Sequence, residues 1–328
     1  LAASNTSSPN SALYDWAQLV RLPNVFTVLA DVGAAFLLVA GGPQPVARLV
    51  AVILAGVCLY WAGMILNDVF DVEKDKAERS SRPLAAGRIG LGKARMAGWA
   101  LLLLGIIIAA VSGYLPAQDR PTTWVPGVIA IALAGMIVAY DGPLKKTPAA
   151  PAAMGGCRVL SFLLGASPCM VMAADEPLFP KYVLGAACGF GVYIMGITTM
   201  GRREAVGGPS HHLPTGFLVT CFGFILLATA PWLAPPEDQV VLLDWDPAVV
   251  RMFPLLIAMI AFPVVIRAFR AVRSPSPAHI QMAIRVGILS MIPLAAAYAY
   301  LGAGQVWAMV IFALVVPSLL LAARFRVT

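Results

Sequence analysis

Residues Asn67-Asp68-Val69-Phe70-Asp71-Val72-Glu73-Lys74-Asp75 gather one carboxamide and four carboxylates in a single short run. They follow about twenty mostly apolar residues, Ala47 to Leu66, a length that crosses a bilayer as a helix. Asn67, Asp71 and Asp75 are spaced i, i+4, i+8. On a helix each such step drifts by roughly 40°, so the three line one face. Oxygen donors stacked at a membrane edge suit Mg2+ and, through it, a phosphorylated ligand. The run therefore predicts metal ligation by Asn67, Asp71 and Asp75. A salt-bridged, solvated loop is the plainer alternative.

Basic groups come directly afterwards, in Arg79-Ser80-Ser81-Arg82-Pro83-Leu84-Ala85-Ala86-Gly87-Arg88. A guanidinium there can hold phosphate oxygens with two parallel N–H groups. Tyr140-Asp141-Gly142-Pro143-Leu144-Lys145-Lys146-Thr147 closes another apolar run. Lys145 and Lys146 can neutralise a leaving diphosphate, or simply anchor a helix end. Arg158 stands inside an apolar run that opens near Met154-Gly155-Gly156-Cys157. A charge at a span's centre costs about 2.5–3.5 kcal/mol on insertion scales, so it needs a partner unless it snorkels to the interface. Gly196-Ile197-Thr198-Thr199-Met200-Gly201-Arg202-Arg203-Glu204-Ala205 ends a further run with two arginines and a carboxylate. Asp31 lies seven residues beyond Asn24, roughly 10 Å into the first run. An intramembrane carboxylate marks a functional site by default. It can orient a polar acceptor or stabilise positive charge, or it can be protonated and merely hydrogen-bonded.

The elements that must position these groups are membrane helices. The 328 residues are 60% hydrophobic and 12% charged, against about 25% charged in soluble domains. Apolar runs fall near 24–41, 47–66, 94–115, 124–140, 152–173, 181–200, 214–234, 249–268, 281–301 and 305–323. They predict an all-α, polytopic transmembrane bundle of nine to ten spans. With ten spans and both ends on one side, 19 of the 23 basic residues share that side. The positive-inside rule makes it the cytoplasmic side, the side of the acidic run. Nine spans would put Arg324 and Arg326 on the wrong side. Residues 1–13 read as a flexible tail, without the charged start and apolar core of a signal peptide. Residues 14–328 read as one transmembrane domain, with no soluble domain and no nucleic-acid partner. Five scattered cysteines and three histidines show no metal-type spacing.

Taken together, these residues resemble the UbiA superfamily of intramembrane prenyltransferases, over about residues 14–300. The strongest match is Asn67-Asp68-x-x-Asp71-x-x-x-Asp75 with Arg82-Pro83-Leu84-x-x-Gly87 downstream. Arg21-Leu22-Pro23-Asn24, Tyr140 with Lys145-Lys146, and the Gly155 to Gly165 region support it. Arg158 with Gly196-Ile197-Thr198 and Arg202-x-Glu204-Ala205 looks most like the EboC-like branch. The resemblance implies helices around a central cavity, and Mg2+-dependent transfer of a prenyl group from a prenyl diphosphate to a lipophilic, usually aromatic, acceptor. It makes Asn67, Asp68, Asp71 and Asp75 metal ligands, with Asp71, Asp75 and Lys145 catalytic. Lys145, Lys146 and Arg82 become diphosphate-binding, with Arg158, Arg202 and Asp31 assigned to the diphosphate or the acceptor.

One departure stands out. UbiA-type enzymes usually carry a second aspartate-rich motif after the sixth span, and here Glu204 is its only carboxylate. Glu204 substitutes as a metal ligand, or Arg202 and Arg203 bind diphosphate in place of a second metal, or catalysis has been lost. The last reading leaves a lipid-binding or assembly subunit, or a transporter, on the same fold. A CDP-alcohol phosphotransferase is disfavoured, because the acidic segment lacks the pattern of that chemistry.

Overall fold

The computed structural model describes residues 9–118, 120–170, 178–202, 210–234 and 245–325. Every regular element among them is helical. Helix α1, Pro9–Leu19, begins inside the stretch expected to be tail. Its Asp15 carboxylate accepts from Arg88 Nε at 2.7 Å, which ties the helix to the loop beyond the acidic run. The spans that follow are α2 (Val25–Ala40), α3 (Val46–Phe70), α5 (Leu91–Ser112), α6 (Val125–Ala139), α7 (Ala150–Ala166), α8 (Lys181–Gly201), α9 (His212–Thr229) and α10 (Pro247–Arg273). A short helix α4, Val72–Glu78, continues from α3.

Among the described residues nine helical stretches are long and apolar enough to cross a membrane, and the ninth, Pro277–Arg324, has 48 residues. A straight helix of that length would measure about 72 Å, more than twice the hydrocarbon thickness. The stretch comprises α11 (Pro277–Leu289), α12 (Met291–Ala313) and α13 (Val315–Arg324), and Gly304 interrupts it with φ 80° and ψ −176°. Only glycine takes that backbone without strain. Before the break Gly302 lies against Leu38. After it Ile311 lies against Gly33, Ser318 Oγ donates to Pro23 O at 3.0 Å, and Phe325 stacks on Tyr14. The chain therefore doubles back along α2, and the last stretch supplies two crossings, ten in all among the described residues.

Helix α2 is the centre of the bundle, packed by α3, α7 and α12. Membrane helices gain little from the hydrophobic effect between them and rely on close packing at small residues. Gly165 of α7 shows this: a Cβ there would stand 2.3 Å from Val32 O. Gly165→Ala is expected to push α2 and α7 apart and cost about 1–3 kcal/mol, read as a lowered unfolding midpoint in detergent. Between α7, α8, α10 and α12 the interior is filled by Phe162, Phe190, Phe253 and Tyr298, whose rings contact one another. The partly exposed polar groups sit around α3, α7 and the turn after α6.

On the face opposite the acidic run, Arg48 is 1% exposed. It donates to the carbonyls of Leu115 (2.9 Å), Pro121 (3.0 Å) and Pro168 (2.8 Å). Arg120 donates to Cys169 O and Ala40 O, the latter ending α2. Two of the four basic residues on the sparse side thus satisfy carbonyls left over at helix ends and loops. Arg48→Met leaves three carbonyls without a donor. Its expected cost is at least about 2 kcal/mol, measured by thermal unfolding of the purified protein.

Candidate active site at the acidic end of the bundle

Helix α3 does not run unbroken through the acidic motif. It stops at Phe70, and Asp71 takes φ −92° and ψ 3° before α4 begins. That sparsely allowed region is one where active-site residues recur. The four-residue spacing survives the kink, because Asp71 N donates to Asn67 O and Asp75 N donates to Asp71 O. Asn67, Asp68 and Asp75 are buried, while Asp71 is partly exposed.

Each carboxylate has a cation or an amide for a partner. Arg82 Nη1 donates to Asp75 Oδ2 at 2.7 Å and to Asp68 Oδ1 at 3.2 Å, so one nitrogen draws two carboxylates together. Arg21 Nη2 reaches the same Asp68 oxygen at 3.5 Å. Lys145 pairs with Asp71. Asn67 Nδ2 donates to Asp141 Oδ1 at 2.8 Å. Asp141 is buried in a π-helical turn, Tyr140–Leu144, which carries α6 into the Lys145 loop. Such turns often mark functional sites. Neither Asp141 nor Arg21 is among the site residues that spacing and resemblance point to. The signal available for Asp141 was a carboxylate closing an apolar span on the side of the acidic run.

Other expected groups lie apart. Lys146 is exposed. Arg202 is exposed and donates to Thr147 O at 2.6 Å, which bridges the end of α8 to the Lys145 loop. Glu204 and Arg203 lie outside the described residues. Asp31 and Arg158 form a second, deeper constellation. Arg158 Nη1 and Ser161 Oγ both donate to Asp31 Oδ2, each at 2.8 Å, while Asp31 Oδ1 is buried without a partner. The partner that Arg158 requires is therefore the carboxylate of α2.

The donors at the mouth fit a hard divalent cation. Asn67 spends its N–H on Asp141, which leaves its amide oxygen to accept, and Arg82 already brings Asp68 and Asp75 to one point. Among the described residues no three His, Cys, Asp or Glu side chains converge closely enough to hold a metal ion as they stand. Arg82 and Lys145 occupy those oxygens, so a cation or a phosphorylated ligand must exchange with them.

Comparison with known proteins agrees with this architecture. Residues 25–201 match the UbiA prenyltransferase family. The digeranylgeranylglyceryl phosphate synthase of Sulfurisphaera tokodaii is 29% identical over 142 residues, 39% of this chain and 51% of that protein. That of Ignicoccus hospitalis is 35% identical over 133 residues, 40% of this chain and 39% of that protein. The chain thus spans about half or less of the curated relatives it matches. Among solved structures, one concerning digeranylgeranylglyceryl phosphate synthase in membranes superimposes with TM-score 0.60 at 18% identity, covering 90% of this chain and 100% of that one. A UbiA homolog from Archaeoglobus fulgidus bound to GPP and Mg2+ gives TM-score 0.60 at 14% identity, covering 91% of this chain and 99% of that one. These likenesses show the fold, and the family match extends across both the acidic motif and the Arg158 helix: the chain is a multi-pass integral membrane protein that belongs to the UbiA prenyltransferase family.

Proposed function

We propose that the protein transfers a prenyl group from a prenyl diphosphate to a lipophilic acceptor, with Mg2+ as cofactor, at the cytoplasmic mouth of the bundle. The observation that carries this reading is the convergence of Asn67, Asp68, Asp71 and Asp75 with Arg82, Lys145 and Arg21 where α3 leaves the membrane. Asn67, Asp68, Asp71 and Asp75 would hold Mg2+, which when bound supplies positive charge to the diphosphate. Arg82, Arg21 and Lys145 exchange their carboxylate partners for phosphate oxygens. There they stabilise the negative charge that grows as the allylic C–O bond breaks and its electron pair passes to the diphosphate. The apolar helices keep water from the allylic cation. The acceptor's nucleophilic atom then forms the new bond, and its proton passes to the departing diphosphate. Asp141 holds Asn67 in register for this work. Arg202 steadies the Lys145 loop through Thr147, and Glu204 is a further metal ligand in this reading.

The resemblance favours an aromatic acceptor and an EboC-like affiliation, the latter resting on Arg158 and the Gly196–Ala205 pattern. A second acceptor class is favoured by the relatives, which are named as digeranylgeranylglyceryl phosphate synthases. The two are separated by incubating purified protein with geranyl or geranylgeranyl diphosphate, Mg2+, and either 4-hydroxybenzoate or geranylgeranylglyceryl phosphate, with mass spectrometry of the products. Prenylated product and diphosphate release are expected with one acceptor class. Both should vanish in EDTA and return when Mg2+ is restored. No turnover with any donor, together with stable copurification of partner proteins, would favour a lipid-binding or assembly subunit. Flux of an unchanged substrate in proteoliposomes would favour a transporter.

A further inference from the structure

We propose that Arg158 is the receptor for an oxyanion on the acceptor, a carboxylate or a phosphate, and that Asp31 and Ser161 are the positioning residues that hold it. The proposal deepens the prenyl-transfer reading above by naming the chemistry of its second substrate.

Depth separates Arg158 from the donor's cations. It stands eight residues beyond Ala150 at the start of α7, roughly 12 Å along the helix. Asp31 stands a comparable distance along α2. Both helices start at the mouth, α2 beside Arg21 and α7 after the Lys145 loop. A group at Arg158 is thus two turns deeper than the diphosphate cluster. Tyr60 on α3 donates its hydroxyl to Arg21 O at 3.4 Å. Arg21 also pairs with Asp68 at the mouth.

The geometry of the ion pair does not suit a purely structural role. A helix-to-helix brace would set both edges of a guanidinium against both oxygens of a carboxylate. Here the two meet one-to-one. Nη1 meets Oδ2, Oδ2 also takes the Ser161 hydroxyl, and Oδ1 has no partner. Among the described residues the remaining N–H groups of Arg158 have no hydrogen-bond acceptor, and the side chain is 15% exposed whereas that of Asp31 is fully covered. The covered carboxylate fixes the guanidinium in place. The accessible, unused donors are those of the arginine. Planar, weakly hydrated and bearing parallel N–H groups, they match a carboxylate or phosphate. An oxyanion seated there would leave the rest of the acceptor extending toward the mouth, where the allylic carbon is delivered.

The test measures binding to the full-length protein in detergent, using two matched pairs of probes and geranyl diphosphate with Mg2+ as a separate ligand. The pairs are 4-hydroxybenzoate with 4-hydroxybenzamide, and geranylgeranylglyceryl phosphate with geranylgeranylglycerol. One anion is expected to bind more tightly than its neutral partner. Arg158→Gln should weaken that anion about 10–100-fold, the worth of a hydrogen bond to a charged group, with Arg158→Lys recovering part. Ser161→Ala should weaken the anion several-fold and Ser161→Thr restore it. If Arg158→Gln does not fold, the charge-free pair Asp31→Leu with Arg158→Met serves in its place. Equal binding of anion and neutral partner in both pairs would overturn the proposal. So would anion affinity retained without Arg158. Loss of geranyl diphosphate in proportion to the anion would also overturn it, by placing Arg158 in the donor site. If neither anion binds to protein that binds geranyl diphosphate, the proposal falls and the donor reading stands. Arg158-dependent anion binding without geranyl diphosphate binding would remove the donor reading and leave the oxyanion site.

Discussion

Asp71→Ala should lower prenyl transfer about 1,000-fold, in the range seen when a single preorganised electrostatic contact is removed from a reacting site. The thermal midpoint should hardly change. Asp71 sits at the kink between α3 and α4, and its side chain is partly exposed, as is that of Lys145. A partly solvated pair contributes little to folding, so its loss separates chemistry from stability. The substitution removes a proposed metal ligand and the partner that aims Lys145. The measurement is product formation from geranylgeranyl diphosphate alongside unfolding of the same sample. Turnover retained in folded Asp71→Ala protein would sink the assignment of the acidic motif as the donor site.

The largest loss of stability is expected from Asp31→Ala. Arg158 would then be a charge two turns inside the membrane without its carboxylate, and breaking one side of a buried ion pair costs about 3–5 kcal/mol. Replacing both partners by apolar side chains of similar bulk, Asp31→Leu with Arg158→Met, should recover most of that loss. The Ser161 hydroxyl would also lose its acceptor, but it can turn to a carbonyl of its own helix. Unfolding in mixed micelles distinguishes these outcomes. A double variant as unstable as the single one would mean that the pair does more than neutralise itself.

The transmembrane class was legible because hydropathy acts locally: each span announces itself in about twenty residues. The final stretch divides for the same reason into two apolar runs, 281–301 and 305–323, parted where Gly304 breaks the helix. Asn67, Asp71 and Asp75 could be grouped from their spacing, although the kink at Asp71 could not be foreseen from an unbroken helical pattern. Partnerships across the chain were hidden. Asp31 and Arg158 each demanded an explanation, yet they are 127 residues apart and sit on helices whose adjacency depends on Gly165. Asp141 was overlooked because one carboxylate beside two lysines looks like ordinary interfacial charge. Arg48 could be placed on the sparse side of the charge count. Its burial among three carbonyls depends on loops that only the folded bundle brings together.

The return of the chain along α2 also sets an order of events. Helix α2 carries a carboxylate, yet part of its covering comes from residues around Ile311 and Ser318, the latter bonded to Pro23 across 295 positions. During synthesis that part of α2 stays bare to lipid until residues 311–318 arrive. Contacts between such distant segments form late and slowly. Maturation of the helix that holds Asp31 then depends on a segment made long after it, and an intermediate lacking that segment would expose a half-finished wall to lipid.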